Sequence, residues 1–199
     1  MDNSNIAGLA GVVATRAEPH KPLYGRADLY SAYLTVTRDS GAKDTVLLIF
    51  PYSACQDKLE DGQQVIVTGQ IQTYKDYSTG HITVFVWADY ITQNNNVPQQ
   101  NGIHLVGEIG RPPVFRTTPR GLKVTDIIIK TPSAFADGYY SYIPAICWGK
   151  AAEEVATWEE GTALVLEGRL QSREYLKRYE DHEETLTAYE VSASTIERV

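Results

Sequence analysis

The chain has 199 residues, of which 43% are hydrophobic, and a formal net charge of −7 from 18 basic and 25 acidic residues. Enough apolar mass is present for a packed core, and no apolar run approaches the roughly 20 residues of a membrane-spanning helix. The negative charge argues against a protein that holds nucleic acid by bulk positive charge alone. Because the first 11 residues lack the features of a signal peptide, we expect a cytoplasmic protein.

Two segments of the chain echo each other. Residues 67–76 read VTGQIQTYKD and residues 166–175 read LEGRLQSREY, so an apolar residue, Gly, an aliphatic residue, Gln and Thr or Ser recur in one order. Upstream, LAGVV at 9–13 corresponds to LVGEI at 105–109, and the offset between the copies drifts as loop lengths vary. Self-similarity of this kind predicts a duplicated structural unit.

The stretch between the copies, QNNNVPQQN at 93–101, is polar and uncharged, which is typical of a linker. The sequence therefore predicts two domains, which we call domain one (1–92) and domain two (102–199).

Domain one has the patterns of β-strands. Residues 33–37 alternate between apolar and polar, residues 45–50 form a short apolar run, and apolar residues recur at every second position over 65–71. A helix-like segment at 53–60, with Gly62 as its stop, separates the last two strands.

Domain two repeats this order. Residues 143–148 form a short apolar run and residues 164–170 have period two, so both predict strands. A helix is predicted over 150–160, because apolar residues up to Trp158 share one face, and Gly161 is its stop. The same pattern predicts that Trp158 packs in the core.

Each copy thus reads as three strands, a helix and a two-strand hairpin. This is the order of the OB-fold, a small Greek-key barrel. The predicted fold class is all-β with one short helix per repeat: two tandem OB-folds, each a five-stranded barrel. Gly69 and Gly168 fit sharply coiled barrel strands where a side chain would crowd, an interpretation that needs no ligand.

Nothing in the sequence indicates catalysis, a cofactor or a metal. The four histidines are scattered, none forms a metal-spaced pair or a nucleophile–base motif, and neither a P-loop nor GxGxxG is present. Cys55 and Cys147 lie in apolar stretches and are too few for a disulfide framework or a zinc site, so we expect buried free thiols.

Domain two combines aromatic residues with local positive charge, as proteins that bind single-stranded nucleic acid do. Residues 111–130 hold five basic residues against one acid, and 171–178 hold three against one, while the acids concentrate at 153–160 and 180–184. Domain one has seven basic residues against ten acids, without a cluster, so we expect it to bind more weakly or to serve in association.

Domain two resembles the bacterial single-stranded DNA-binding protein family along nearly its whole length, in the tandem two-domain form of clostridia-like bacteria and their mobile elements. The stretches that carry the resemblance are LVGEIGRPPVFRTTPRG (105–121), YIPAICWGKAAEEVA (142–156), LEGRLQSREY (166–175) and AYEVSASTI (188–196). Their order and spacing make the signal specific. Domain one matches weakly.

The resemblance implies a set of DNA-binding residues. Base stacking falls to Phe135, Tyr142, Trp148 and Tyr175, with Tyr139 or Tyr140 as a substitute for Phe135 where the alignment is ambiguous. Phosphate contacts fall to basic residues near the groove, and the basic span around Arg173 adds Lys177. The full set of expected DNA-binding residues is Arg111, Arg116, Phe135, Tyr140, Tyr142, Trp148, Lys150, Arg173, Tyr175 and Lys177.

The resemblance also implies partners. The family places four OB domains around one strand, so a homodimer of this two-domain chain is expected, and no membrane association is expected. The family's tail, Gly/Pro-rich with an acidic tip that recruits proteins, is not visible here, because the sequence stops at TIERV (195–199) after its last predicted strand. Either no partner is recruited that way or a tail is absent from the sequence given.

The leading hypothesis is sequence-tolerant binding and protection of single-stranded DNA in replication, recombination, repair or transfer. The alternative is an OB-fold interaction module, an adaptor for replication restart or for a mobile element, with little DNA affinity of its own. An RNA-binding OB protein also stays open, because stacking alone does not distinguish DNA from RNA.

Overall fold

A computed structural model describes residues 5–55, 58–75, 80–135, 138–178 and 182–199, with the backbone alone at 175, 177 and 178. The first half of the chain forms five strands: β1 (Asn5–His20), β2 (Leu29–Thr37), β3 (Lys43–Pro51), β4 (Gln64–Lys75) and β5 (Ile82–Gln93). The second half forms β6 (Gln100–Ile109), β7 (Val114–Thr117), β8 (Lys123–Pro132), β9 (Tyr140–Trp148), helix α1 (Gly149–Val155), β10 (Ala163–Arg178) and β11 (Glu183–Arg198).

Each half closes into a five-stranded barrel. In domain one the strands pair in the cyclic order β1-β2-β3-β5-β4, and β4 returns to β1. In domain two the order is β6-β8-β9-β11-β10, and β10 returns to β6, while β7 extends the sheet at β8. All pairs are antiparallel except β3–β5 and β9–β11. Two tandem OB-folds are therefore confirmed.

The two barrels share one continuous sheet of 11 strands because β1 pairs with β6. This pairing joins Asn5–Ala10 to Gln100–Leu105 in antiparallel register. The end of the predicted linker, Gln100 and Asn101, is thus strand rather than loop. A strand here satisfies backbone N–H and C=O groups that a connecting loop would leave unpaired.

The helices differ between the halves. Helix α1 is shorter than the predicted 150–160, and Trp158 beyond its end is 5% exposed and packs in the core as expected. In domain one the predicted helix at 53–60 is replaced by a single 3-10 turn, Tyr52–Ala54, and residues 56–57 lie outside the described chain. Pro51 directly before this turn has extended backbone, as does Cys55 after it.

Core residues of the two barrels form one connected cluster that runs through the β1–β6 join. It includes Leu9 and Leu105 on the joined strands, and the buried thiols Cys55 and Cys147, which form no disulfide, as the sequence predicts. Within the described ranges, no helix is long and apolar enough to cross a membrane.

Candidate nucleic-acid interface

The exposed aromatic residues of domain two lie along one face of β9. Tyr140, Tyr142 and Trp148 are exposed, whereas the alternate residues Ile143 and Cys147 face the core, because successive side chains of a strand point to opposite faces. Tyr142 is 43% and Trp148 40% exposed. Six residues of strand separate these two rings by about 20 Å. The face therefore offers aromatic surfaces at both ends of the strand.

A hydrogen bond orients the Trp148 ring, and a cation lies over the Tyr140 ring. Trp148 Nε1 donates a hydrogen bond to Ser192 Oγ on the neighbouring strand β11 at 3.1 Å. Lys130 Nζ lies 4.3 Å from the centroid of the Tyr140 ring and is itself 2.6 Å from Glu108 Oε1. Because the Trp148 ring is already held in place, a base that stacks on it requires little further ordering.

The predicted basic residues differ in their surroundings. Arg116 Nε donates to Asp126 Oδ2 at 2.7 Å, and this hydrogen bond raises the pKa of the Arg116 guanidinium. Arg173 Nε lies 3.6 Å from Glu190 Oε1. Arg111 is exposed beyond β6, and Lys150 is exposed in the first turn of α1. Asp126 and Glu190 thus neutralise part of the positive charge that was counted in the sequence.

A cleft of about 480 Å³ brings three predicted site residues together. Arg111, Tyr142 and Arg173 line it from domain two, and Ile82 and Val84 of β5 line it from domain one. The cleft therefore lies where the two barrels meet, and both contribute to its walls.

A second cleft, of about 570 Å³, adjoins the first and shares Ile82 and Tyr142 with it. Its other lining side chains are mostly aromatic or basic. From domain one these are Lys21, Tyr24, Tyr74 and Lys75, and from domain two Tyr139 and Tyr140. Lys21 Nζ lies 5.7 Å from the centroid of the Tyr74 ring. Domain one thus supplies a cluster of cations and rings.

A third cleft, of about 610 Å³, adjoins the first on the other side and shares Arg173, Thr187 and Tyr189 with it. Tyr33 and Lys43 line it from domain one. Burial, together with the nearby Tyr33, raises the pKa of Tyr189 to about 12, so this ring is a neutral phenol at physiological pH.

We call the three adjoining clefts the seam groove, since they follow the boundary between the barrels. Its lining includes five basic residues against two acids, in a chain whose net charge is −7. The basic residues are Lys21, Lys43, Lys75, Arg111 and Arg173, and the acids are Glu174 and Glu190. A groove with an excess of positive charge and many rings suits a flexible polyanion with stacking bases.

Phe135 lies away from the outer face of β9, although the resemblance implies a stacking role for it. Its ring stacks on Tyr24 of domain one with 4.7 Å between centroids, and it meets Trp87 edge-on at 5.0 Å. Arg26 lies over the ring at 5.9 Å. The residue therefore anchors the β8–β9 loop to domain one.

Tyr175 and Lys177 lie on β10, where their backbones pair with Leu186 and Glu184 of β11. Their side chains lie outside the described atoms, so these two site predictions stay predictions.

Domain one lacks aromatic residues at the positions that correspond to Tyr142 and Trp148. Leu48 of β3 corresponds to Ala145 of β9, because Leu48 pairs with Val86 and Ala145 pairs with Val191 on the last strand of each barrel. By the same alignment, Pro51 stands at the position of Trp148, and Thr45 stands at that of Tyr142. The outer face of domain one's β3 therefore cannot repeat the aromatic pattern of β9.

The sequence interpretation missed the contribution of domain one to the seam groove. Tyr74 and Lys75 follow the repeated segment at the positions where Arg173 and Glu174 follow it in domain two. That correspondence was the available signal. It was concealed by the acidic composition of the domain, because the average charge does not show which side chains the fold brings together.

No group of three or more His, Cys, Asp or Glu residues is arranged to hold a metal ion in the part of the chain that the structure describes.

Comparisons with known proteins agree with this geometry. The sequence model of the single-strand binding protein family matches residues 100–199. The single-stranded DNA-binding protein of Bacillus cereus is 34% identical over 80 residues, which are 38% of this chain and 47% of that protein. That of Clostridium tetani is 32% identical over 80 residues, 38% of this chain and 55% of that protein. The chain thus spans about half the length of the curated relatives it matches.

Solved structures match almost the whole chain. The wild-type single-stranded DNA-binding protein from Thermus aquaticus superposes with a TM-score of 0.76 at 21% identity, covering 98% of this chain and 92% of that one. A deletion mutant of the same protein gives a TM-score of 0.72 at 20% identity, covering 98% and 94%. These matches show that the fold of both domains is shared. Because the family model covers half of the sequence, the chain belongs to the single-strand binding protein family.

Proposed function

We propose that this protein binds single-stranded DNA, tolerantly of sequence, along the outer face of β9 and through the seam groove. The observation that carries the proposal is the joining of Arg111, Tyr142 and Arg173 in one cleft that continues into domain one. Membership of the family and the names of its curated relatives support the choice of ligand. Its role would be to protect the strand in the cytosol during replication, recombination or repair, without catalysis.

In this proposal, stacking supplies most of the affinity. Tyr142, Trp148 and Tyr140 present rings to successive bases, and each stacked base contributes about 1–3 kcal/mol. Arg111 and Arg173 contact phosphates beside Tyr142, and Lys150 and Arg116 do so near Trp148. Tyr175 and Lys177 extend the site along β10, and Phe135 positions the β8–β9 loop.

We also propose that domain one takes part in binding through Lys21 and Lys75, rather than serving in association alone. An adaptor without DNA affinity would not require cations and rings from both barrels in one groove. The proposed boundary between the two domains is the loop between β5 and β6.

A homodimer, with four OB domains in total, is the proposed assembly. Multi-angle light scattering of the purified protein should give a mass near 44 kDa, twice the 22.1 kDa of the chain. A monomer at micromolar concentration would reject this assembly without affecting the proposed groove.

Fluorescence of Trp148 tests DNA binding. Because Trp87 and Trp158 are buried, quenching by added oligo-dT would report on Trp148, the exposed tryptophan. Quenching at micromolar protein in low salt is expected. The absence of both quenching and a gel shift would contradict the proposal, and preference for oligo-rU over oligo-dT would assign the groove to RNA.

Tyr142→Ala tests the position of the site. Loss of one stacked base should weaken binding of labelled oligo-dT by about 5- to 150-fold, measured by fluorescence anisotropy. Tyr90→Ala is the matched control, because Tyr90 is 71% exposed and lies outside the seam groove. Equal loss in the two variants, or none in either, would remove Tyr142 from the site.

A further inference from the structure

Domain one contains an apolar pocket that shares no residue with the seam groove. Its volume is about 340 Å³. Its walls are formed mostly by apolar side chains near the end of the barrel, together with one cation: Ala17, Tyr30, Phe50, Tyr52, Cys55, Lys58 and Leu59.

The matching turn in domain two identifies what is absent from this pocket. Gly62 N donates to Val13 O at 2.9 Å, and Gly161 N donates to Ile109 O at 2.7 Å, so the two turns close on their first strands in the same way. Counting back three residues from each glycine places Leu59 where domain two has Trp158.

Trp158 and α1 together close the end of the domain-two barrel. Trp158 is buried, and Thr125 Oγ1 donates to the α1 carbonyl of Ala152 at 2.6 Å. The registers place Tyr30 at the position of Thr125, and the described residues of domain one have a 3-10 turn in place of α1. The smaller Leu59 and the shorter helix leave the pocket open.

Three aromatic rings line the pocket in an arrangement that suits a planar aromatic group. The Tyr30 and Phe50 rings have centroids 6.3 Å apart with 26° between their planes, and Tyr52 lies 6.0 Å from Tyr30. Aromatic rings prefer such offset or tilted neighbours, and the equivalent space in domain two holds an indole.

The charges around the pocket disfavour a nucleotide. Lys58 pairs with Glu60 at 2.9 Å, and Arg16 pairs with Glu18 at 2.9 Å. Lys58, the charged side chain of the described lining, is already paired with a carboxylate, which leaves no surplus positive charge there for a phosphate.

We propose that this pocket binds an indole-sized aromatic side chain presented by a partner polypeptide, in the space that Trp158 fills in domain two. The site is independent of DNA binding. Its occupant is neutral and planar, and packs against Tyr30, Phe50 and Tyr52.

N-acetyl-L-tryptophanamide is the probe for this site. At millimolar concentration it should shift the ¹H–¹⁵N resonances of Ala17 and Leu59 in the full chain. Leu59→Trp, which supplies the indole internally, should abolish these shifts and leave oligo-dT affinity unchanged. Tyr52→Ala should weaken probe binding by about two- to tenfold, because one aromatic contact is lost.

Tyr90→Ala is the matched control and should bind the probe as the wild type does, because Tyr90 lies outside the pocket. Absence of shifts at Ala17 and Leu59 in the wild-type chain would overturn the proposal. Equal shifts from thymidine would overturn the assignment to a polypeptide. Tyr52→Ala keeps the test decisive should Leu59→Trp fail to fold.

Discussion

At the scale of single residues, Gly69 and Gly168 show why the duplicated segment keeps its glycine. An ideal Cβ would lie 2.0 Å from Trp87 O at Gly69 and 2.4 Å from Ser192 O at Gly168. Both glycines directly follow a shift in strand register, Gly69 in the pairing of β4 with β5 and Gly168 in that of β10 with β11. The predicted structural role is confirmed, because the backbone of the last strand occupies the space of a side chain.

Gly168→Ala should therefore destabilise the protein. The Cβ must displace strand backbone, and overpacking of this kind costs about 1–3 kcal/mol. Urea denaturation followed by circular dichroism measures the difference. Gly8→Ala is the control, because nothing lies within 4 Å of a Cβ there. If both variants unfold at the same urea concentration as the wild type, a Cβ at position 168 does not displace the strand backbone, and the prediction is wrong.

Cys147 should resist thiol reagents in the folded protein. Burial, with a smaller effect of Asp126, raises the pKa of its thiol to about 12, so the reactive thiolate is scarce at pH 8. In Cys55→Ser protein, Ellman's reagent should release no colour at pH 8 until urea unfolds the chain. Rapid reaction of the native variant would show that β9 opens locally.

At the scale of elements, the duplicated segments join the barrels. Asn5 donates from Nδ2 to Ile71 O at 2.7 Å and accepts from Ile71 N at 3.0 Å. Asn101 does the same with Leu170, at 2.7 and 2.9 Å. Each asparagine lies on one of the two paired strands, β1 or β6, and hydrogen-bonds the backbone of the repeated segment beside it. The repeat in the sequence therefore corresponds to a pseudo-two-fold interface between the barrels.

The residues that follow reach the opposite barrel. Ser172 N donates to Asp44 Oδ1 at 3.1 Å, and Thr45 N donates to Ser172 Oγ at 3.0 Å. The counterpart of this contact joins Thr73 Oγ1, as acceptor, to Tyr142 N at 3.2 Å. The conserved order of small polar residues in the two copies thus fixes Tyr142 against domain one.

Asn5→Ala should destabilise the join. It leaves the N–H and C=O groups of Ile71 without their partner in a buried position, which costs about 1–3 kcal/mol for each unsatisfied group. Thermal unfolding should show a lower midpoint than for the wild type. Asn95→Ala, at an exposed turn, should change stability by less than about 0.5 kcal/mol. An unchanged midpoint for Asn5→Ala would mean that the amide contributes nothing to the join.

At the scale of the whole molecule, the seam groove explains how an acidic chain could bind the polyanionic ligand that we propose. Net charge governs long-range attraction, whereas affinity depends on cations within contact of phosphates. Acidic side chains lie mainly elsewhere, as on α1, where Glu153 and Glu154 are exposed. Affinity for DNA should consequently fall with rising salt in proportion to the number of phosphate contacts, while the part that stacking contributes is largely independent of ionic strength.

Lys21→Ala/Lys75→Ala tests whether domain one contributes to binding. Each phosphate contact on a single strand lowers log K by about 0.7 per tenfold rise in salt. Loss of two contacts should make the slope of log K against log salt shallower by about 1.4, measured by anisotropy of labelled oligo-dT. Lys58→Ala, also exposed in domain one but outside the groove, should leave the slope unchanged. An unaltered slope in the double variant would restrict binding to domain two.

Much of this molecule could be predicted from local patterns. Period-two alternation located β4 and β10, and the recurring segment revealed the duplication, because barrel strands impose the same alternation and the same glycine in each copy. The exposed rings of β9 could be assigned only through the resemblance. The 3-10 turn that replaces the predicted helix in the described part of domain one was not foreseen, because a segment as short as 53–60, with three apolar residues, fits a helix or an irregular turn equally well.

The sequence by itself determined two OB barrels with buried thiols, because hydrophobic periodicity acts over a few residues and the same segment, with its glycine, recurs in both copies. Only the tertiary structure decided that Phe135 packs on Tyr24, that Lys21 and Lys75 join Tyr142 in one groove, and that Leu59 leaves a pocket where Trp158 fills one. These outcomes depend on how one barrel is placed against the other and on how closely a turn packs. Such contacts join residues that are distant in sequence, so local sequence patterns do not predict them.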